Sequence, residues 1–370
     1  MSSYFDYYCT RLENGDCHDT EYIKGTCYLM CPQEEAKLRE KERIVHVLEV
    51  LGPTKKLVKS YSRSAADTNI AVPKLLRPYT VLQETVQYLL LEVTKRQDVP
   101  TSIVYDFVTD RLRAVRQDMT VQRMPPNQCV NLLEPMVRFH VFYGYKLQEL
   151  PLKDFDPVLN KKYLLECLKW FLCCYNTMDQ KLNCDIDKLT DCLSNLQFKE
   201  NVSCDRVLME SLYILCNLED LHPLYRYLNL PAELKRQQIL HISYKIAVAN
   251  LKGNYLRVCR LMDELCPLTY CALGTYLPTL QRNALLVMSH AYSSKLLSVP
   301  LSLLCGWLRF PADHDARQAC QHYGLAVQGD AVRFDKGEFR TDVQLHHGST
   351  IQGNKKLDLT VENIFTYKPS

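Results

Sequence analysis

Five side chains near the N-terminus have the chemistry of zinc ligands: Cys9, Cys17, His18, Cys27 and Cys31. Thiolate sulfur and imidazole nitrogen together suit a tetrahedral zinc ion. Cys27 and Cys31 are separated by three residues, which is within the loose range for zinc ligands, but no second close pair completes a tetrahedron. The alternative is that both cysteines are small packing residues at the entry to the first helix. We predict that the chain holds neither a metal nor a cofactor.

Two groups of basic residues have the charge needed to bind RNA phosphates. The first group is Lys55, Lys56, Lys59, Arg63, Arg111, Arg113 and Arg116. The second group, on a predicted hairpin, is Arg333, Lys336 and Arg340. Acidic residues interleave with the arginines of the first group closely enough to form local ion pairs, so a solvated helical face is the favoured interpretation there. The hairpin group either enters a nucleic-acid groove or packs on a partner subunit.

Composition and motifs argue against a catalytic protein. The chain has 370 residues, 47% of them apolar, with a net charge of +3 and only 12 glycines. This shortage of glycine is untypical of a nucleotide-binding loop, a β-sandwich or a Rossmann sheet. P-loop, dinucleotide-binding, zinc-protease and serine-hydrolase motifs are absent from the sequence. We therefore expect no enzymatic activity and no small-molecule substrate.

The cysteines and the N-terminal residues predict a reducing compartment. Many of the 17 cysteines lie inside apolar runs, where a thiol behaves as a small hydrophobic group. The N-terminus has neither a basic region nor an uninterrupted apolar one, as a secretory signal would. The longest apolar stretches are shorter than a membrane span and contain charged residues. We expect the protein in the nucleus and cytoplasm, away from membranes.

The elements that position these residues are predicted to be helices. Apolar residues recur every three or four positions along most of the chain, with Pro or Gly at the breaks. The predicted helices cover residues 32–51, 81–92, 102–122, 128–150, 159–178, 203–218, 234–251, 255–266 and 280–297. In the helix 102–122 the apolar stripe is clearest, with the arginines and Asp118 largely off it. Such a series predicts a mostly α fold, an α-solenoid of stacked antiparallel pairs.

The last part of the chain has a different pattern. Two short helices are predicted at residues 300–310 and 313–323, the second closed by Gly324. Residues 325–327 and 331–334 then alternate as the strands of a hairpin around a turn. Two or three helices followed by a hairpin is the layout of a winged helix. The stretch 342–370 is polar and is expected to be partly irregular.

A family resemblance rests on a series of motifs. The first is G-T-C-x-x-M-C-P, formed by Gly25, Thr26, Cys27, Met30, Cys31 and Pro32. It is followed in order by Y-x-R-x-A-A at residues 61–66, R-P-x-x-V-L at 77–82, Y-D-F-V at 105–108 and R-F-H at 138–140. Further matches continue to about residue 335. The chain thereby resembles the Sac-three/GANP family, named for germinal-centre-associated nuclear protein.

This resemblance implies a fold, a set of boundaries and a type of function. The fold is a PCI-like α-helical superhelix of TPR-like helix pairs that ends in a small winged helix. The implied division is an acidic lead-in at residues 1–24, a helical domain at 25–298, a winged helix at 299–340 and a polar tail at 341–370. Members of the family are scaffolds rather than enzymes, and the large ones pair their winged helix with that of another PCI subunit for messenger RNA export.

In size the chain resembles the members of a short branch of the family, which is associated with centrosome duplication and mitotic progression. Unlike the large members, the sequence has no phenylalanine-glycine repeats before the domain and no long centrin-binding helix after it. We therefore expect a scaffold at the centrosome and spindle, with centrosomal proteins and a PCI-domain subunit as partners. The alternative is a component of a messenger RNA export complex that binds RNA through the winged helix and the basic helix face.

Overall fold

The computed structural model describes residues 23–63, 71–188, 205–348 and 360–366. Its helices, numbered along the chain, are α1 (Gln33–Lys41), α2 (Tyr79–Leu91), α3 (Thr101–Val121), α4 (Pro126–Lys146), α5 (Pro157–Lys188), α6 (Arg206–Leu215), α7 (His222–Leu228), α8 (Ala232–Lys235), α9 (Gln238–Leu251), α10 (Tyr255–Leu261), α11 (Pro267–Gly274), α12 (Leu277–Ala291), α13 (Leu301–Leu308), α14 (Asp313–His322) and α15 (Val361–Thr366). The prediction of a mostly α fold is confirmed.

Short strands form two small antiparallel sheets. Strands β1 (Val50–Leu51) and β2 (Thr54–Lys55) pair as a hairpin. Strands β3 (Val299–Pro300), β4 (Ala326–Gln328) and β5 (Ala331–Arg333) form a three-stranded sheet in the order β3-β5-β4. The predicted hairpin of residues 325–334 is therefore confirmed, whereas the sequence indicated neither the β1–β2 hairpin nor β3.

The prediction of one helix from residue 32 to 51 is wrong. Helix α1 ends at Lys41, and Arg43 has a positive φ of 56°, which an L-residue rarely adopts inside a helix. The chain then forms a single 3₁₀ turn, Val47–Glu49, before it enters β1. The apolar residues that suggested a continuous stripe include Leu38 and Ile44, whose side chains are exposed. Helix α12 is also shorter than predicted, since it ends at Ala291.

The described chain divides into two compact units, neither of which is one continuous stretch. Unit 1 contains the described residues of Met1–His140, Val158–Arg206 and Val361–Lys368. Unit 2 contains those of Val141–Pro157 and Val207–Thr360. The predicted boundaries at residues 298 and 340 both lie within unit 2. No helix in the described ranges combines the length and apolar composition that crossing a bilayer requires.

Helix α3 forms the centre of unit 1. The predicted stripe of Val104, Tyr105, Val108, Leu112, Val115 and Met119 is buried in full. Helix α2 packs against α3, and its own buried residues include Leu82, Val86 and Leu89. Because α3 has neighbours on several sides, Arg111 and Asp118 are buried as well. The prediction of a solvated polar face on this helix is therefore wrong for these two residues.

In unit 2, residues 277–334 form a helix and strand module. Its order is α12, β3, α13, α14, β4 and β5, the layout that the sequence predicted with one strand added. The shared core contains Leu285, Leu301, Leu304, Leu308, Cys320, Val332 and Phe334. Gly324 ends α14 with a φ of 84°, and a Cβ atom there would lie 2.4 Å from the carbonyl oxygen of Glu338. Its role as a helix stop is thus confirmed.

Candidate functional site

The motif at residues 25–32 is an extended loop that hydrogen bonds anchor inside unit 1. The Gly25 N–H donates to Gln122 Oε1 over 2.8 Å, and the Thr26 and Cys27 N–H groups donate to the carbonyl oxygens of Pro73 and Leu76. A Cβ atom on Gly25 would lie 2.4 Å from the Leu76 carbonyl oxygen, so only glycine fits this approach.

The second half of the same motif leads into α1. The carbonyl oxygen of Met30 accepts hydrogen bonds from the Lys59 N–H at 2.9 Å and from Arg77 Nη1 at 3.3 Å. Pro32 directly precedes the first residue of α1, and its carbonyl oxygen accepts from the Ala36 N–H. The motif therefore connects α1 to segments that lie tens of residues further along the chain. This role of the motif is structural.

The zinc hypothesis involves residues of which only two are described. Cys9, Cys17 and His18 lie outside the described residues, whereas Cys27 and Cys31 are both buried. Burial is the main cause that raises the pKa of the Cys31 thiol to about 12, so this thiol is protonated at neutral pH. The described part of the chain contains no group of three or more His, Cys, Asp or Glu side chains placed to hold a metal ion. Burial of both thiols fits the packing interpretation, whereas a site that includes Cys9, Cys17 and His18 lies outside the described residues.

Asp118 is the centre of a buried cluster of charges. Its Oδ1 lies 2.6 Å from Lys59 Nζ, and its Oδ2 lies 2.7 Å from Arg77 Nε. The Asp118 and Arg77 side chains have no exposed surface, and Lys59 is 8% exposed. Lys59 Nζ also donates to the carbonyl oxygen of Leu75 over 2.7 Å. The positive charge of Lys59 is therefore used inside unit 1 and does not face solvent.

Glu49 is the centre of a second buried cluster. One carboxylate oxygen, Oε2, pairs with Arg39, while Oε1 accepts from the Val58 N–H at 3.0 Å and lies 3.5 Å from Arg111 Nη2. Arg111 is 7% exposed and also pairs with its neighbour Asp110. A phosphate could reach the Arg111 guanidinium only if this cluster opened.

Arg113 and Arg116 also have partners within unit 1. The Arg113 guanidinium lies over the Tyr61 ring at 3.8 Å and over the Tyr163 ring at 4.9 Å. Arg116 pairs with Glu166 at 2.5 Å. Cation–π stacking and ion pairing of this kind hold α3 against the residues before it and against α5.

The remaining basic residues of the first group are closer to solvent. Lys55 forms an exposed pair with Glu40 at 3.1 Å. Lys56 pairs with Glu92 at 3.6 Å and lies over the Tyr88 ring at 3.6 Å. Arg63 is exposed. The structure thus does not assemble the seven predicted residues into one basic surface, and RNA contact by the exposed ones stays a prediction.

The second basic group lies on and just after β5. Arg333 is half-buried, and Lys336 and Arg340 are exposed. The Arg340 N–H donates to the Tyr323 carbonyl oxygen over 2.8 Å, which holds the segment after the hairpin against the end of α14. Contact of these three residues with a partner or RNA stays a prediction.

Sequence reasoning missed the surroundings of the R-F-H motif on α4. His140 Nδ1 lies 2.9 Å from Asn160 Oδ1, and Asn160 Nδ2 donates to the His140 carbonyl oxygen. Burial is the main cause that lowers the pKa of His140 to about 4. Arg138 and Phe139 contact α15, which lies in the predicted irregular tail. The motif itself was the one sequence signal for this region.

Comparison with known proteins decides the family. A model of the SAC3/GANP family matches residues 30–329. The chain belongs to the SAC3/GANP family. The SAC3/GANP match begins within the loop at residues 25–32 and ends in the turn between β4 and β5, so it includes most of the predicted site residues.

Three relatives from distant organisms show the extent of the similarity. Protein xmas of Drosophila melanogaster is 30% identical over 322 residues, 82% of this chain and 15% of the relative. SAC3 family protein 1 of Schizosaccharomyces pombe is 25% identical over 86% of this chain and 32% of its own length. SAC3 family protein B of Arabidopsis thaliana is 25% identical over 83% of this chain and 18% of its own length. This chain therefore spans a third or less of each of these SAC3 relatives.

Proposed function

We propose that this chain is a non-catalytic scaffold that binds protein partners through the module of residues 277–334 in unit 2. The observation that carries the proposal is the outer edge of β4. In the described part of the chain β4 pairs with β5 alone, so one edge of the sheet is open to another strand. We propose further that the module is a winged helix, that its partner is a PCI-domain subunit, and that the scaffold acts at the centrosome and spindle, in the nucleus and cytoplasm.

The distribution of charge supports a protein partner over RNA. In unit 1, Lys59, Arg111 and Arg116 are neutralised by carboxylates of the same unit. A surface that binds nucleic acid keeps such charges available to phosphates. Two of the three relatives are named as SAC3 family proteins and none of the three by an enzymatic activity, which supports the non-catalytic part of the proposal.

We expect that two acidic residues introduced on strand β4 prevent the partner from binding. Val327 packs into the module core, so Ala326 and Gln328 lie on the opposite face of β4. The double variant Ala326→Asp/Gln328→Asp places charges along the open edge, which disfavours strand addition. In cells, the tagged full chain is cross-linked and the partners joined to Lys336 are identified by mass spectrometry. We expect the variant to recover at least tenfold less of the protein that cross-links to Lys336.

The matched control introduces the same two residues elsewhere in unit 2. Gln237→Asp/Gln238→Asp lies on exposed residues at the start of α9, where acidic side chains suit the helix dipole. This control should recover the wild-type amount of partner. Equal recovery by both double variants, or the absence of any protein joined to Lys336, would contradict the proposal.

The exposure of Lys336 and Arg340 favours RNA binding as a second candidate function, within a messenger RNA export complex. Three basic residues that each contact one phosphate of single-stranded RNA predict a slope of log affinity against log salt of about −2. The triple variant Arg333→Ala/Lys336→Ala/Arg340→Ala should reduce that slope nearly to zero in anisotropy titrations. The control Lys55→Ala/Lys56→Ala should keep it. An unchanged slope in the triple variant excludes RNA binding by this group.

A further inference from the structure

The short helix α15 lies against unit 1 and buries two apolar side chains there. Ile364 is 2% exposed and Phe365 is 8% exposed, whereas Glu362 and Asn363 on the same helix are exposed. Helix α15 packs against α2. A helix of six residues does not persist in water on its own, so the contacts with unit 1 maintain its conformation.

Three kinds of contact recognise α15. Lys95 Nζ lies 2.9 Å from Glu362 Oε2. Arg138 Nη1 donates to the Ile364 carbonyl oxygen over 3.4 Å. The Phe365 ring lies 6.4 Å from the Phe139 ring, measured between centroids. Together these contacts select an acidic residue, a main-chain carbonyl that accepts from Arg138, and an aliphatic–aromatic pair. The pattern is acidic-x-aliphatic-aromatic, which occurs in this chain as Glu362-Asn363-Ile364-Phe365.

The residues that receive α15 are held in place by other parts of unit 1. Glu134 Oε1 accepts from both Arg138 Nε and Arg138 Nη2, and Glu134 Oε2 accepts from the Asp205 N–H. The Phe139 ring stacks on the Tyr105 ring of α3 at 5.6 Å. The contacts of Arg138 with Glu134 and of Phe139 with Tyr105 do not involve α15, so they remain available when α15 leaves the groove.

Helix α15 is covalently joined to the rest of the chain. Eleven residues, 349–359, separate the last residue of the preceding described range from Thr360. Because α15 belongs to the same chain as the groove, its binding is intramolecular, and a peptide of modest intrinsic affinity is enough to occupy the groove most of the time. The same modest affinity lets a competing peptide replace it.

We propose that α15 is an exchangeable ligand of a peptide groove in unit 1. The groove, formed by α2, α4 and Lys95, binds short helices with the pattern acidic-x-aliphatic-aromatic. The chain's own residues 361–366 occupy it until a partner protein presents a peptide of the same pattern. The groove is thus a second interaction surface, separate in position and chemistry from the sheet edge of unit 2.

The test compares two forms of the full chain. In the double variant Ile364→Ser/Phe365→Ser the buried side chains of α15 are lost, and the groove opens while its lining is unchanged. A fluorescein-labelled peptide of residues 358–370 is titrated with each form and followed by anisotropy. We expect the peptide to bind the double variant at least tenfold more tightly than the wild type. A peptide that itself carries Ile364→Ser/Phe365→Ser should bind neither form.

A charge reversal identifies the groove as the binding site. Lys95→Glu, added to the double variant, should weaken binding of the wild-type peptide. The peptide with Glu362→Lys should bind this triple variant as tightly as the wild-type peptide binds the double variant. If the peptide binds neither form of the chain, or both forms equally, the proposal is wrong.

A second measurement uses the wild-type chain alone and does not depend on how the variant folds. Hydrogen exchange of the α15 amides should occur through local opening, at least a hundredfold faster than that of the α2 and α3 amides. Excess unlabelled peptide should speed this exchange further. Amides of α15 that exchange only as slowly as those of α2 would show a fixed structural element and would overturn the proposal.

Discussion

Replacing Asp118 with alanine is expected to lower the free energy of unfolding of unit 1 by about 3–5 kcal/mol. The change leaves the ammonium group of Lys59 and the guanidinium group of Arg77 buried without the carboxylate that lies 2.6 and 2.7 Å from them. Such a loss is larger than the net contribution of the intact cluster, because two uncompensated charges stay behind in a poorly solvated place.

The two tryptophans allow this loss to be assigned to one unit. Trp170 is buried in unit 1, and Trp307 is in unit 2. In a Trp307→Phe background, urea unfolding followed by fluorescence reports on unit 1 alone. The matched control is Asp98→Ala, which breaks the exposed pair with Arg96 and should leave the midpoint unchanged. A loss below about 1 kcal/mol for Asp118→Ala would mean that water reaches the cluster and that Lys59 is available to other ligands.

The second expected result is that unit 1 loses about 3 kcal/mol of stability as the pH falls from 6.5 to 4, because of His140. Burial lowers the pKa of His140 from 6.5 to about 4. Between these values the unfolded chain binds a proton at His140 and the folded chain does not, so acid favours unfolding. At pH values more than about one unit above 6.5 the imidazole is neutral in both states and contributes no pH dependence.

The test follows the urea midpoint of unit 1 between pH 4 and 7.5 in the same Trp307→Phe background. His140→Gln removes the titrating ring and keeps an amide group beside Asn160. The variant should show a flatter profile below pH 6.5, although some slope persists because burial also lowers the pKa of His46. The control His290→Gln changes an exposed residue in unit 2 and should keep the wild-type profile. Identical profiles for all three proteins would show that the pKa of His140 is the same in the folded and the unfolded chain, which would contradict the prediction.

Helix α3 illustrates what the sequence predicts well. Its apolar residues recur every three or four positions over five turns, and packing buried all six residues of the predicted stripe. The β4–β5 hairpin was predicted for a similar reason, since Gly329 supplies the positive φ that the turn needs. These features follow from spacing within a short stretch of chain.

The buried charges of the same helix were not predicted, because they depend on residues far away in sequence. Asp118 is paired with Lys59, 59 positions earlier, and Arg111 with Glu49, 62 positions earlier. Periodicity reports which face of a helix is apolar, but it does not report how many sides of that helix are covered. Charged residues that the sequence placed on a solvated helical face, Arg111 and Asp118, therefore form ion pairs inside the fold.

Helix α15 was missed for another reason. Six residues are too few to show a helical period, and the residues before it are polar. The R-F-H motif on α4 entered the sequence analysis only as part of the family resemblance, and it did not indicate that α15 packs there.

The division of the chain has a consequence for synthesis on the ribosome. Unit 1 contains α15, which follows every residue described in unit 2 along the chain. Most of unit 1 leaves the exit tunnel first, but its last described helix is translated only after the roughly 150 residues of the range Val207–Thr360 in unit 2. Throughout that interval the nascent protein displays a vacant acceptor for a short peptide. A factor that engages the chain during translation would meet this acceptor before the chain's own segment arrives.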